Sequence, residues 1–88
     1  MGLAALISVG FGNMINGDKV TAVVNAESAP VKRMIASAKE HGLLIDATQG
    51  RKTKSVVVME SGQLVISGLQ TDTIAGRFSA GQGEEHEE

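Results

Sequence analysis

Three cationic side chains lie within four positions of one short segment of this chain. Arg51, Lys52 and Lys54 follow Gly50 and lead into the apolar run at residues 56–59. The whole chain has a formal charge of -2, so this segment is a local positive region on a weakly acidic protein. Clustered cations on a rigid support can bind phosphate groups. The cluster is equally consistent with a solvated turn that keeps an apolar strand soluble.

Other basic positions could extend this surface. Lys19 follows a predicted turn, and Lys32 and Arg33 are adjacent on a predicted helix. Basic residues on a helix face usually serve solvation, so Lys32 and Arg33 matter only if the fold places them beside Lys19 and the 51–54 segment. The candidate phosphate-binding residues are therefore Arg51, Lys52, Lys54 and Lys19, with Lys32 and Arg33 conditional on the fold.

No set of side chains forms a catalytic pattern. The hydroxyl of Ser55 has no identifiable base, and His41 is explained by a helix C-terminus, where the dipole favours a cation. Asp46 and Glu60 are isolated carboxylates rather than an acid–base pair. We expect Asp46 either to orient Arg51 or to accept backbone N–H groups in the turn. Two histidines and no cysteine argue against structural zinc, so we predict no enzyme, no metal and no cofactor.

The segment Gly10-Phe-Gly-Asn-Met-Ile15 begins like a dinucleotide-binding fingerprint. Ile15 stands at the third glycine position, and a turn and a strand follow where the fingerprint requires a helix. Glycines at a strand end more simply permit a tight turn or a close subunit contact. Phe11, between two of these glycines, is then expected to pack into the core or into an interface.

The composition predicts one small domain that needs a partner. The chain has 88 residues, of which 42% are hydrophobic and 2% aromatic, and it has no cysteine. A single core in so short a chain supplies only about 3–5 kcal/mol of stability. We therefore predict homo-oligomerisation, which buries further apolar surface. The apolar stretch at residues 3–9 is too short to span a membrane, and a cytoplasmic location is expected.

The apolar patterning predicts an α+β domain at residues 1–79 with a twisted, mostly antiparallel sheet and two helices. Two strands, at residues 3–9 and 20–24, are expected to pair with each other. The remaining strands are predicted at residues 43–45, 56–59 and 64–67.

Helix signals are clear at residues 29–41, where Ser28 can act as the N-cap and Gly42 as the terminator. A second helix is predicted at residues 71–78. Residues 80–88 are predicted to form a disordered acidic tail, because they hold four of the ten acidic residues and no aliphatic side chain larger than that of Ala80.

Four stretches together resemble the RemA family of bacterial regulators, which are associated with control of extracellular-matrix (biofilm) genes. They are Gly10-Phe-Gly-Asn-Met14, Ser28-Ala-Pro-Val-Lys-Arg33, Asp46-Ala-Thr-Gln-Gly-Arg51 and the apolar hairpin that follows. The resemblance covers residues 3–79 in the family's order and approximate spacing. Each stretch is weak by itself, whereas the combination is specific.

The resemblance implies a DNA-binding protein that assembles into a ring of identical subunits and binds DNA through repeated basic surfaces. It extends to the cations of residues 51–54 and to Lys19, where the family commonly has a basic residue. The chain departs from the family at Gln49, where a histidine is frequent, at Phe11, where a tyrosine is also found, and in its acidic tail.

Duplex DNA is the partner that these observations favour, with no membrane and no small-molecule ligand. Phosphate capture repeated around a ring would supply affinity by multivalency, and DNA shape would supply specificity. Two alternatives stay open: a scaffold ring that binds an acidic protein, and a ring that binds RNA. The apparent lack of exposed aromatic residues argues against recognition of single strands by base stacking.

Overall fold

A four-stranded sheet forms the middle layer of the molecule, and the computed structural model describes residues 6–83. The elements in chain order are β1 (Leu6–Gly10), β2 (Asn13–Asn16), a 3-10 turn (Gly17–Lys19), β3 (Val20–Asn25), α1 (Ala29–Glu40), β4 (Leu44–Asp46), β5 (Ser55–Met59), β6 (Leu64–Ser67) and α2 (Thr71–Gly83).

The sheet is mixed, with the strand order β3-β5-β6-β4. The pairs β3–β5 and β5–β6 are antiparallel, whereas β4 runs parallel to β6 because α1 carries the chain from one end of the sheet back to the other. β1 and β2 form a separate antiparallel hairpin. The α+β class predicted from the sequence is confirmed.

Alternating side chains of the sheet build two separate cores. Val56, Leu64 and Ile66 pack against α1, while Val57 and Val65 face the opposite way. Successive side chains of a strand point to opposite faces, so one apolar strand supplies both cores. The second core is completed by Val9 of β1 and Ile74 of α2. α1 therefore lies on one face of the sheet, and the β1–β2 hairpin and α2 lie on the other.

Helix α1 begins and ends at the residues that the sequence predicts, to within one position. The Ser28 hydroxyl accepts a hydrogen bond from the Val31 N–H at 3.3 Å, and Pro30 occupies the first turn. His41 forms the C-cap, and Gly42 has a φ of 72°, the left-handed conformation that terminates helices.

The predicted pairing of the first two strands is wrong. β1 pairs with residues 13–16, which form the short strand β2, and β3 pairs with β5. The reason is the tight turn at Gly10, Phe11 and Gly12, whose φ angles of 106°, 54° and 79° reverse the chain early. The polar turn at residues 16–18 is present, but Asn16 caps the 3-10 turn Gly17–Lys19 and the segment does not close a hairpin.

Helix α2 continues to Gly83, past its predicted end at Phe78. The predicted acidic tail thus overlaps the last helical turn, and its glutamates, at residues 84–88, lie outside the described residues. Within residues 6–83, neither helix is long and apolar enough to cross a membrane.

Candidate nucleic-acid interface

Two loops that are distant in sequence bring Arg51 and Phe11 together. The guanidinium carbon of Arg51 lies 5.2 Å from the centroid of the Phe11 ring. Phe11 is 51% exposed, so of the two places expected for this side chain the core is wrong and an interface stays a prediction. A cation over an exposed aromatic ring contributes about 0.5–1 kcal/mol. The contact holds the Arg51 guanidinium at the tip of the β1–β2 hairpin instead of leaving it free in solvent.

The loop that carries Arg51 is held by its own hydrogen bonds. The Asp46 carboxylate accepts the Thr48 N–H at 2.8 Å and the Thr48 hydroxyl at 2.6 Å. The Arg51 backbone N–H donates to the Thr48 carbonyl at 3.0 Å, and the Ala47 backbone N–H donates to the carbonyl of Ile66 in β6 at 2.9 Å. Thr48 is 3% exposed. Of the two roles expected for Asp46, the structure shows the second, acceptance of a backbone N–H in the turn.

Backbone strain concentrates at this pair of loops. Among residues 6–83, the non-glycine residues with positive φ are Phe11 at 54° and Gln49 at 53°. Gln49 is followed by Gly50, at 79°, and then by Arg51. A left-handed conformation costs an ordinary residue about 1–2 kcal/mol. Strained residues of this kind cluster at binding sites, where the surrounding structure enforces them.

Two buried serines join the loops beneath the Arg51–Phe11 pair. The Ser67 hydroxyl donates to the Val9 carbonyl at 2.9 Å and accepts the Leu69 N–H at 3.0 Å. The Ser55 hydroxyl donates to the Leu69 carbonyl at 2.8 Å. Both serines are fully buried. The network fixes the end of β1, and hence the Phe11 turn, to the strands that flank the Arg51 loop.

The sequence analysis missed this role of the serines. Ser55 was considered only as a nucleophile, and Ser67 was not considered. The signal in the sequence was a serine at the outer end of each of two apolar runs. In the structure these two serines, Ser55 and Ser67, pair across the β5–β6 hairpin.

Gly68 lets the chain pass close behind Arg51. A Cβ atom at Gly68 would lie 3.4 Å from the Arg51 Cβ and 3.5 Å from the Lys52 carbonyl oxygen. Both are ordinary van der Waals distances, so Gly68 packs directly behind the Arg51 loop and leaves room there for no more than a methyl group.

Lys52 and Lys54 lie beside Arg51, and all three cations are exposed. The Lys52 ammonium forms an ion pair of 3.6 Å with Glu27, which precedes α1. Both partners are largely exposed, at 75% and 66%, so the pair is weak. Glu27, which the sequence analysis did not single out, is thus a local competitor for phosphate.

Lys32 and Arg33 lie near this end of the sheet. The Ala26 N–H donates to the Lys54 carbonyl at 3.2 Å, so the chain enters α1 beside Lys54. At about 1.5 Å of rise per residue, Lys32 and Arg33 lie within about 6 Å of the start of the helix along its axis. The condition set for Lys32 and Arg33 also requires Lys19, which lies at the opposite end of β3, so it is not met in full.

Lys19 lies at the other end of β3. It directly precedes Val20, which pairs with Met59, whereas Lys54 directly precedes Ser55, which pairs with Asn25. Five residues of strand separate these ends by about 17 Å at 3.3 Å per residue. The structure therefore brings Arg51 against Phe11, with Lys52 and Lys54 on the same segment as Arg51, but leaves Lys19 apart.

The hydrogen bonds of Asp46 predict a specific dependence of stability on pH. The Thr48 hydroxyl, and then the Thr48 backbone N–H, hold the pKa of the Asp46 carboxyl below its usual value. A carboxyl whose pKa is lowered by folding stabilises the protein above its unfolded pKa of about 3.9 and loses that contribution as pH falls through the folded pKa.

Asp46→Asn keeps an oxygen acceptor without the charge, so it should melt below the wild type near neutral pH. The gap in melting temperature should shrink as pH falls from about 6 to about 2.5. Thermal melts of both proteins across this range measure the gap. A gap that stays constant would show that the charge of Asp46 contributes nothing.

Comparison with known proteins gives a match along most of the described chain. The chain matches the RemA-like family, described as extracellular matrix regulatory protein A-like, over residues 6–78. It is 56% identical over 73 residues to a protein of Fervidobacterium nodosum, covering 83% of this chain and 78% of that protein. It is 58% identical over 73 residues to a protein of Kosmotoga olearia, covering 83% of this chain and 74% of that protein.

A protein of Lachnoclostridium phytofermentans is 54% identical over 74 residues, covering 84% of this chain and 81% of that protein. These three relatives carry the name "Putative regulatory protein". The family match includes the Phe11 turn, the start of α1, the Arg51 loop and the β5–β6 hairpin, which are the stretches that carried the resemblance in the sequence. This chain therefore belongs to the RemA-like family.

Proposed function

We propose that this protein is a non-enzymatic regulator that binds duplex DNA through the surface formed by Arg51, Lys52 and Lys54, repeated around a ring of identical subunits. The observation that carries the proposal is the exposed Arg51 guanidinium, held on Phe11 by two strained and hydrogen-bonded loops. The family description and the names of the relatives support the regulatory role.

Arg51 suits phosphate binding in its chemistry and its setting. A guanidinium can donate two parallel hydrogen bonds to one phosphate. Its loop is already ordered in the free protein, so little conformational entropy is lost when phosphate binds. Lys52 and Lys54 add charge on the same segment. One subunit offers few contacts, and a ring would multiply them.

Exposed apolar side chains support assembly. Leu6 and Met14, on the hairpin, are 61% and 54% exposed, and Met34 and Leu43 are 39% and 38% exposed. Met34 and Leu43 line a groove of about 300 Å³ at the end of α1. The hairpin and α1 pack on opposite faces of the sheet, so these are two different surfaces. If these two surfaces contact each other, the contact is head-to-tail, and a head-to-tail contact whose rotation closes gives a ring.

Genes for the extracellular matrix are the proposed targets, because the family description names regulation of the extracellular matrix. A duplex-binding regulator acts where the DNA lies, which fits the cytoplasmic location expected from the sequence.

RNA is the second candidate, and the structure strengthens it. The argument against single strands rested on the absence of exposed aromatic residues, yet Phe11 is half exposed. Aromatic side chains at basic surfaces can stack on single-stranded bases. Duplex DNA is favoured over RNA because the Arg51 guanidinium already covers one face of the Phe11 side chain, where a base would otherwise stack.

Binding to duplex DNA should be strongly salt-dependent. Each phosphate neutralised on a duplex contributes a slope of about -0.9 to log K against log salt, and several subunits add their slopes. Affinities for a duplex, a single-stranded RNA and heparin at two salt concentrations measure this. Tighter binding of the RNA would favour the second candidate, and equal binding of all three would show charge attraction alone. Salt-insensitive binding would point away from phosphate capture.

A further inference from the structure

Phe11 occupies a position that the fold does not explain. It is the middle residue of a turn in which Gly10, Phe11 and Gly12 have positive φ angles of 106°, 54° and 79°. A glycine at position 11 would adopt this conformation without strain. Burial does not compensate for the strain, because half of the Phe11 ring remains exposed.

The contact with Arg51 accounts for only one face of the Phe11 side chain. It covers one face of Phe11 with the guanidinium at 5.2 Å. The remaining surface of the ring faces solvent at the tip of the hairpin. Two contacts hold this turn in place. The Ser67 hydroxyl donates a hydrogen bond to the Val9 carbonyl, and the Leu69 side chain lies 3.5 Å from the place that a Cβ of Gly10 would occupy. Phe11 is therefore a rigid, apolar projection.

A phosphate bound by Arg51 would bring this projection to a groove of the DNA. Hydrogen bonds from a guanidinium to phosphate oxygens span about 2.9 Å. With the ring centroid 5.2 Å from the guanidinium carbon, Phe11 lies beside the backbone that Arg51 holds. The minor groove is only about 6 Å wide, so a side chain at its wall can reach the base-pair edges.

We propose that Phe11 inserts as an apolar wedge into the minor groove, between base pairs next to the phosphate that Arg51 binds, and kinks the duplex. This inference rests on the proposed binding of duplex DNA. Apolar wedges partly unstack a base step and bend the DNA away from the minor groove. Pyrimidine–purine steps unstack most easily, so the wedge would give each subunit a preference for such steps without hydrogen bonds to bases.

The wedge is tested with a duplex that reports unstacking. A fluorescent 2-aminopurine beside a central TA step brightens when the step opens, and dyes at the duplex ends report bending by energy transfer. The wild type should increase both signals at saturating protein. It should also bind the TA duplex roughly tenfold more tightly than an A-tract duplex, since one unfavourable step typically costs that much or more.

Two variants separate the wedge from other roles of Phe11. Phe11→Gly removes the ring and relieves the strain, so it should fold and assemble. It should bind DNA more weakly because Arg51 loses the ring on which it rests, give neither signal at saturating protein, and keep a preference for TA below about twofold. Phe11→Leu keeps an apolar wedge without an aromatic face for Arg51, so it should retain both signals.

Other outcomes would overturn the inference. Duplex binding by the wild type with no unstacking, or unchanged signals in Phe11→Gly, would reject the wedge and leave duplex binding intact. A lower assembly mass for Phe11→Gly would make Phe11 an interface residue. Failure of the wild type to bind any duplex would instead reject the proposed function itself, and with it the wedge.

Discussion

Arg51→Ala is expected to remove most of the affinity for duplex DNA while assembly mass and melting temperature stay nearly unchanged. Each subunit loses charge-assisted hydrogen bonds worth about 1.5–3 kcal/mol, or roughly 10- to 150-fold per engaged subunit. Stability should hold because the loop is fixed by backbone and Thr48 hydrogen bonds and not by the guanidinium. Titration of a labelled duplex with each protein measures the loss.

Two controls make the Arg51 experiment specific. Lys39→Ala removes the same charge from an exposed position in the last turn of α1, at the end opposite the Arg51 loop, and should change affinity little. Arg51→Lys keeps the charge without the planar fork and should fall between wild type and Arg51→Ala. An equal loss in Lys39→Ala would show that net charge alone matters. Dissociation of the Arg51→Ala assembly would make Arg51 an interface residue.

The elements of this fold were predictable where their signals are local. The Ser28 cap, Pro30 and Gly42 specify α1 from neighbouring residues, and the continuous apolar runs of β5 and β6 on either side of a short polar turn specify a hairpin. The β1–β2 hairpin was missed because its turn places a phenylalanine in the left-handed region, which propensity assigns to glycine or asparagine. Pairing of β3 with β5 joins distant segments, which no local pattern encodes.

The site was predictable only in part for the same reason. Arg51, Lys52 and Lys54 lie within four positions, so the sequence alone revealed them. The Phe11 contact depends on a hairpin tip meeting a distant loop, and the Ser55–Ser67 network depends on strand register. Lys19 looked equivalent to the other cations in the sequence, yet the length of β3 separates it from them.

Met14→Glu and Met34→Glu are each expected to reduce the assembly to the 9.1 kDa chain, because each puts a charge into one of the two apolar surfaces. Burying an unpaired carboxylate costs several kcal/mol per interface. Both side chains are exposed within the subunit, so the fold should persist, as circular dichroism would show. Ala36→Glu, exposed on α1 but outside the groove, is the matched control and should assemble normally.

Mixing the two variants distinguishes a ring from a symmetric dimer. Met14→Glu retains an intact groove, and Met34→Glu retains an intact hairpin surface. In a head-to-tail assembly, one good interface can therefore form between them, and light scattering of the mixture should give a species of twice the chain mass that grows no further. In a symmetric dimer, each surface meets its own copy, so the mixture would contain only the species that each variant forms alone. Variants that keep the full assembly mass when measured separately would show that neither apolar surface holds the subunits together.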